Sequence, residues 1–372
     1  MLYRKEDAVA IKGKPIRRRT KGSIRKIAMI IAVSLAGVST AAIISGIIAY
    51  DAFFLRYERP DYATYPGMYC YERFEGTLKR ETLSVRSGEV DLAAYYYPVE
   101  SQKGLVVVVH GMHSGADDYL PIIEAMVKGG YAVFAYDATG NYSSGGESGV
   151  GMCQQLRDLD AVLDFLASSE KYADMPKLII GHSWGGYAAA SVLSLHKEVK
   201  AAVCIAPMCN GSTVMVEKSV EYVDKVAYTV KPLFDTYQKY LFGDYTQYNA
   251  VDGINSTDIP VLVAQGVDDT VITPDKLSIT AHLDKITNEN VRVYYGTGLQ
   301  GTHSGIWHSI EAEEYVRKIE KELVTLEAKK GEKLTSDELA AFYENVDHRL
   351  YSEVNGELVD LIFETFEEGL NK

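Results

Sequence analysis

Proline is scarce, 10 residues in 372, and no stretch repeats itself at a spacing of about 20 to 50 residues. The first scarcity, alongside 47% hydrophobic residues, excludes a mostly disordered chain, and the missing repeat excludes a solenoid. The bulk of the chain also lacks positive charge. The first 50 positions hold 10 basic and 2 acidic residues, a charge of plus 8, which leaves minus 21 on the other 322. So acidic a body repels phosphate, and nucleic acid is excluded as a partner. Cysteine is sparse too: Cys70, Cys153, Cys204 and Cys209 allow three pairings that the sequence cannot rank. Cys204 falls in a run that reads as a buried strand, where a small apolar thiol is the default.

One segment lacks charge altogether. Ile27 to Tyr50 is 24 residues long, which as a helix is about 36 Å against a bilayer core of about 30 Å. A buried helix seldom runs this far without a charge, so the segment is expected to span a membrane once. Arg17, Arg18, Arg19, Lys21, Arg25 and Lys26 precede it and Asp51 follows. The positive-inside bias then leaves the N-terminus cytoplasmic and the rest of the chain on the outer side of a cell membrane. Tyr50, Phe53, Phe54 and Tyr57 stand where an interfacial aromatic belt belongs. Ser39-Thr40-Ala41 offers small residues to a signal peptidase, but the apolar and basic regions are both too long for a cleaved signal, which favours an uncleaved anchor. The organisation expected is a basic leader at 1–26, the span at 27–50, a juxtamembrane segment at 51–80 and one catalytic domain at 81–372.

Within that domain, Val- and Ile-rich runs alternate with helical patterns. Strands are expected at Glu81–Arg86, Val90–Tyr97, Gly104–Val109, Tyr131–Tyr136, Lys177–Ile180, Val199–Ile205, Pro260–Ala264 and Val291–Tyr295. Unbroken runs such as Leu105 to Val109 belong to strands covered on both faces, and the alternation predicts a mostly parallel sheet flanked by helices. Helices are expected at Asp118–Lys128, Met152–Ser168, Gly186–His196 and Pro274–Ile286. From about 210 to 257 the rhythm breaks into a helical insertion that reads as a cap. Its aromatic residues (Phe234, Tyr237, Tyr240, Phe242, Tyr245, Tyr248) read mostly as packing, with a few free to line a pocket. Two further helical stretches, Ile310–Lys329 and Ser336–Phe366, follow the last strand, the second with an apolar face that closes the sheet.

The chemistry centres on Gly181-His182-Ser183-Trp184-Gly185, directly after the buried strand Leu178-Ile179-Ile180. A serine forced into a sharp strand-to-helix turn needs glycines two before and two after it, because side chains there would clash. Its hydroxyl stands at the positive end of the following helix. Serine attacks only when a base takes its proton and an acid fixes that base. Downstream, Val261 to Asp269 is a strand ending in the two carboxylates Asp268 and Asp269, and His282, His303, His308 and His348 remain as bases.

These motifs, in this order, resemble the α/β-hydrolase superfamily in the branch of monoglyceride lipases and serine aminopeptidases. His110-Gly111 after a buried strand is similar to the oxyanion-loop motif, Asp137 to Gly146 loosely resembles a D-x-x-G-x-x-x-S turn, Gly181 to Gly185 resembles the nucleophile elbow, and Gly266-Val267-Asp268-Asp269 resembles the G-x-x-D acid turn. The resemblance implies an α/β-hydrolase fold, Asp269 as the acid and His303 as the base in the loop after the last strand, ahead of His308. The loop from Gly296 to His303 is longer than the family pattern. Resemblance also implies an oxyanion hole from the backbone N–H groups of Met112 and Trp184.

The expectation is a membrane-anchored serine hydrolase that cleaves a small ester or a lipid-like substrate without a cofactor or metal. A serine aminopeptidase, for which Glu217, Glu221, Asp224 and Asp235 of the cap would face a substrate amine, and an acyltransferase use the same triad. A non-catalytic anchored binding protein is the rival of another class. Three patterns are weak: Gly296 to Gly301 matches G-x-G-x-x-G with no later strand to complete a nucleotide unit, His110 and His113 have metal-like spacing without further ligands, and Asn141, Asn210 and Asn255 stand in glycosylation sequons. Oligomeric state is not encoded legibly.

Overall fold

The structure is a computed structural model and describes residues 21–372. The leader up to residue 20, with Arg17, Arg18 and Arg19, lies outside the described residues. Two compact units divide the chain, Met1–Ala49 and Tyr50–Lys372. In the first, the uncharged run falls within helix α1 (Lys21–Phe53), several of whose side chains are not described. Among the described residues no helix is long and apolar enough to cross a membrane.

The second unit is built on eight strands: β1 (Glu81–Ser87), β2 (Val90–Tyr97), β3 (Leu105–Val109), β4 (Ala132–Tyr136), β5 (Lys177–His182), β6 (Val199–Ile205), β7 (Val261–Gly266) and β8 (Val291–Gly296). They form one sheet in the order β1-β2-β4-β3-β5-β6-β7-β8. The β1–β2 and β2–β4 pairs are antiparallel and all others parallel. Strand alternation sorts the core into two layers. Leu105, Val107 and Val109 pack on the side of α3 (Gln154–Ser168) and α4 (Trp184–Ser191), while Val106 and Val108 pack on the side of α2 (Leu120–Lys128) and the C-terminal helix.

The insertion between β6 and β7 holds α5 (Gly211–Val223), α6 (Ala227–Phe242) and α7 (Ala250–Asn255), with no strand among its described residues. After β8 come α8 (Ile310–Lys330), α9 (Ser336–Tyr343), α10 (His348–Tyr351) and α11 (Gly356–Leu370). The single helical stretch expected from Ser336 to Phe366 is therefore broken twice. Asp347 and Asn355 adopt extended backbone, and their side chains accept from Leu350 N (3.0 Å) and Leu358 N (3.3 Å), so each starts a new helix instead of continuing the old one. Only α11 closes the sheet, through buried Leu358, Ile362 and Phe366 at four-residue spacing.

The helix expected over Pro274–Ile286 is also absent. Ser278 is extended, bridges to Met208 and donates its hydroxyl to Gln265 Oε1 at 2.6 Å, which leaves only a 3-10 turn, Ile279–Lys285, kinked at His282. All four cysteines are free, and Cys153, Cys204 and Cys209 are buried.

Candidate active site

β5 runs from the core to its end at His182, and Ser183 follows with φ of +56°, a left-handed conformation that a non-glycine residue holds only at a cost of about 1–3 kcal/mol. The neighbouring glycines show what permits it. A Cβ on Gly181 would lie 2.1 Å from the Gly185 carbonyl oxygen, and one on Gly185 would lie 2.1 Å from the Val109 carbonyl oxygen. The start of α4 is thus pressed against the end of β3. Ser183 N–H donates to the Ile205 carbonyl at 2.8 Å, so β6 holds the turn from the other side.

Two other strand ends complete the cluster. Past β7, Asp269 is buried, and its Oδ1 accepts from Val271 N and Ile272 N, both at 2.8 Å. Its Oδ2 accepts from Gln265 Nε2 at 3.0 Å and from His303 Nδ1 at 2.8 Å. Burial pushes this carboxyl upward, but the His303 bond and the backbone donors outweigh it and hold Asp269 below the usual carboxylate range. Asp268 instead lies exposed. Past β8, a 3-10 turn (Gly298–Gly301) delivers His303, whose Nε2 stands 3.0 Å from Ser183 Oγ. With Asp269 accepting from Nδ1–H, Nε2 is the nitrogen left to accept the serine proton.

The other candidate bases, His282, His308 and His348, lie elsewhere. His308 Nδ1 is 2.8 Å from Glu313 Oε1, and its carbonyl accepts from Gln300 Nε2 at 2.7 Å. His348 begins α10 beside Arg73, and His282 stands by Lys285. His110 is buried and held neutral, its pKa pushed down to about 4 by desolvation. Its Nδ1–H donates to Gly111 O (2.6 Å) and its Nε2 accepts from Ala138 N (2.8 Å). Both ring nitrogens are used in joining the loops after β3 and β4, while His113 is exposed. Asn141 is buried, Asn210 caps α5, and Asn255 bonds Thr287 N and Lys285 O.

Met112 follows Gly111 in the loop after β3, and Trp184 opens α4, where the first N–H groups have no acceptor within the helix. A Cβ on Gly111 would sit 3.5 Å from the His182 carbonyl, which shows how closely this loop approaches the elbow.

Through α7 the cap packs on α4. A cavity of about 250 Å³ is lined by Cys153, Tyr187, Ser212, Lys231, Asp235 and Gln238. Of the four cap carboxylates named from the sequence, Glu217 bonds Lys276 and Tyr228, Glu221 pairs with Lys218 at 3.0 Å and Asp235 with Lys231 at 2.7 Å, while Asp224 is exposed at the end of α5. Of the cap aromatics, Phe234 and Tyr237 pack edge-on to Tyr50, Phe242 is buried and Tyr240 is exposed. Neither Gln265 nor the Tyr50 contact with Met152 N (3.0 Å) was legible in the sequence. Gln265 does adjoin the Gly266 acid turn, a position worth reading in such motifs.

Sheet order, elbow and the order of the three side chains along the chain define the α/β-hydrolase fold. The family model for serine aminopeptidases (S33) matches residues 100–252, which takes in the elbow and most of the cap but ends before Asp269 and His303. Among solved structures, the esterase Pf2001 of Pyrococcus furiosus is 18% identical with a TM-score of 0.50, over 78% of this chain and 99% of that one. Est1E of Butyrivibrio proteoclasticus, solved with ferulic acid bound, is 15% identical, over 59% of this chain and 90% of that one, at a TM-score of 0.45. An acylaminoacyl peptidase of Pyrococcus horikoshii is 17% identical, over 61% and 38%, at 0.44. No curated protein matches the chain significantly.

Proposed function

We propose that this protein is a serine hydrolase of carboxylic esters that works through an acyl-enzyme. The observation that carries the reading is the continuous line from Ser183 Oγ to His303 Nε2 (3.0 Å) and from His303 Nδ1 to Asp269 Oδ2 (2.8 Å). In this reading Ser183 attacks the acyl carbonyl as His303 Nε2 takes its proton, and Asp269 steadies the imidazolium. Negative charge on the tetrahedral oxygen is met by the N–H groups of Trp184 and Met112. His303 returns the proton to the leaving alcohol. A water deprotonated by His303 then releases the acid and restores Ser183.

Ester cleavage is preferred over aminopeptidase action because three of the four cap carboxylates, Glu217, Glu221 and Asp235, are paired with lysines of this chain and the fourth, Asp224, is exposed at the end of α5. Hydrolysis of p-nitrophenyl acetate and butyrate, set against an aminoacyl p-nitroanilide, tests both points. The expected result is ester turnover that disappears in Ser183→Ala; equal turnover by that variant, or faster cleavage of the anilide, contradicts the proposal.

Anchoring to a membrane is a separate proposal and rests on composition, the 24 uncharged residues Ile27 to Tyr50 behind a basic leader. The outward placement of the catalytic unit and a lipid-like ester as substrate belong to that proposal. Retention of the full chain in the membrane pellet after alkaline carbonate extraction supports it, and release into the supernatant refutes it.

A further inference from the structure

The residue between Gly181 and Ser183 is His182, and the triad does not use it. Its Nδ1 is 2.8 Å from the hydroxyl of Tyr119, in the 3-10 turn ahead of α2, and that hydroxyl is 2.8 Å from Gly111 N. Its Nε2 is 3.3 Å from the backbone carbonyl of His303. Both side chains are buried. The proton positions follow from chemistry alone. Gly111 N–H can only donate, so the Tyr119 oxygen accepts it. The single hydroxyl proton of Tyr119 is then directed to His182 Nδ1, which must be unprotonated to accept it. A neutral imidazole carries its proton on the other nitrogen, and that Nε2–H faces a carbonyl that can only accept. Every member of the chain thus has one consistent role, and the Trp307 ring, stacked on His182 at 5.5 Å and packed on Tyr119 at 5.0 Å, fixes the plane of the rings.

We propose that Tyr119 and His182 are positioning residues that tie the oxyanion loop, the nucleophile elbow and the base loop into one hydrogen-bonded unit. Gly111 is adjacent to Met112, His182 to Ser183, and the carbonyl held at the far end is that of His303 itself. Three loops from three strand ends are therefore kept in mutual register by two side chains that touch no reacting atom. The inference rests on the hydrolase reading above.

The test uses the full chain with p-nitrophenyl acetate and three substitutions, alone and with Tyr119→Phe combined with each of the other two, every variant checked by thermal melting. His182→Asn sets an amide at the level of Nδ1 and keeps the Tyr119 contact; His182→Gln sets one at the level of Nε2 and keeps the His303 contact. Each His182 variant and Tyr119→Phe is expected to lower kcat about 10- to 100-fold with KM changed less than about 3-fold, the size of effect that misplaced groups produce. Adding Tyr119→Phe is expected to cost as much in the His182→Asn background as in wild type, and less than about 3-fold in the His182→Gln background, where the link from Tyr119 to the elbow is already broken and only its bond to Gly111 N remains. Equal costs in all backgrounds, or an unchanged kcat in a folded His182 variant, overturn the inference. The His182 variants alone suffice if Tyr119→Phe does not fold. Covalent labelling of wild-type Ser183 by a fluorophosphonate separates the two failures: no label removes the hydrolase reading, whereas label with unaffected variants removes only this inference.

Discussion

Glycine and aspartate positions show how individual residues make the site. At Gly185 the space for a Cβ is already held by the Val109 carbonyl, 2.1 Å away, and backbone cannot move aside cheaply. Gly185→Ala is expected to shift β3 against the elbow and lower kcat/KM at least about 100-fold, since displacements of about 1 Å are costly in a preorganised site; wild-type activity in the purified variant contradicts this packing. Asp269→Asn keeps the shape but offers His303 Nδ1 an amide in place of a carboxylate. Its kcat is expected to fall about 10³- to 10⁴-fold, with the melting temperature within a few degrees of wild type. Serine and its flanking glycines were readable from spacing, because the turn tolerates few alternatives. Choosing Asp269 over Asp268 and His303 over His308 needed family resemblance, because sequence does not show that Asp268 is turned to solvent or that Glu313 already occupies His308. His182 was readable only as the variable position of a motif; its partner Tyr119 stands 63 positions away, beyond any local signal.

Elements are held by similar polar clasps, and one of them is pH-sensitive. His196, in the turn between α4 and β6, is buried with Nε2 2.8 Å from Asp160 Oδ1 on α3 and Nδ1 2.7 Å from Glu198 Oε1; Asp160 also accepts from Tyr245 of the cap. Burial disfavours the imidazolium, but the two carboxylates outweigh it and raise His196 above its ordinary value. A raised histidine contributes stability that is fully present below its unfolded value of about 6.5 and lost as pH rises through the folded value. The melting temperature of wild type is therefore expected to exceed that of His196→Gln by more at pH 5.5 than at pH 9, and a gap that widens with pH contradicts the assignment. The central strands β3 to β7 were legible because burial on both faces writes them as apolar runs, whereas the outer strands β1 and β8 are partly exposed. Breaks at Asp347 and Asn355 were not, because a capping residue inside a helical pattern looks like one more polar position until its side chain is seen to turn back on the chain. Core packing of α11 is ordinary by comparison: Ile362→Ala should cost about 2–5 kcal/mol in urea unfolding.

For the molecule as a whole, the acidic body and basic leader remain the strongest signals of composition, and the boundary between the units falls at Tyr50. The segment that follows is part of the catalytic body. Tyr50 hydroxyl accepts from Met152 N, Phe54 packs toward Trp184, and Arg56 donates to the Ser144 and Gly146 carbonyls at 2.8 and 2.9 Å. A chain beginning at Tyr50 is expected to keep the hydrolase activity of the full chain, and one beginning at Glu81 to lose most of it through lost packing around Trp184 and Met152; full activity of the shorter chain contradicts this. The sequence signalled these aromatics only as an interfacial belt, since contacts made to residues about 100 positions away leave no periodic trace.

All three scales converge on whether Ser183 is a nucleophile activated by His303 and Asp269. The direct measurement is covalent labelling of the folded full chain with a fluorophosphonate, followed by peptide mapping, in wild type, Ser183→Ala, His303→Ala and Asp269→Asn. One adduct is expected, on Ser183, absent in Ser183→Ala and formed far more slowly in the other two. No adduct in folded wild type, or equal labelling of the His303→Ala protein, contradicts it.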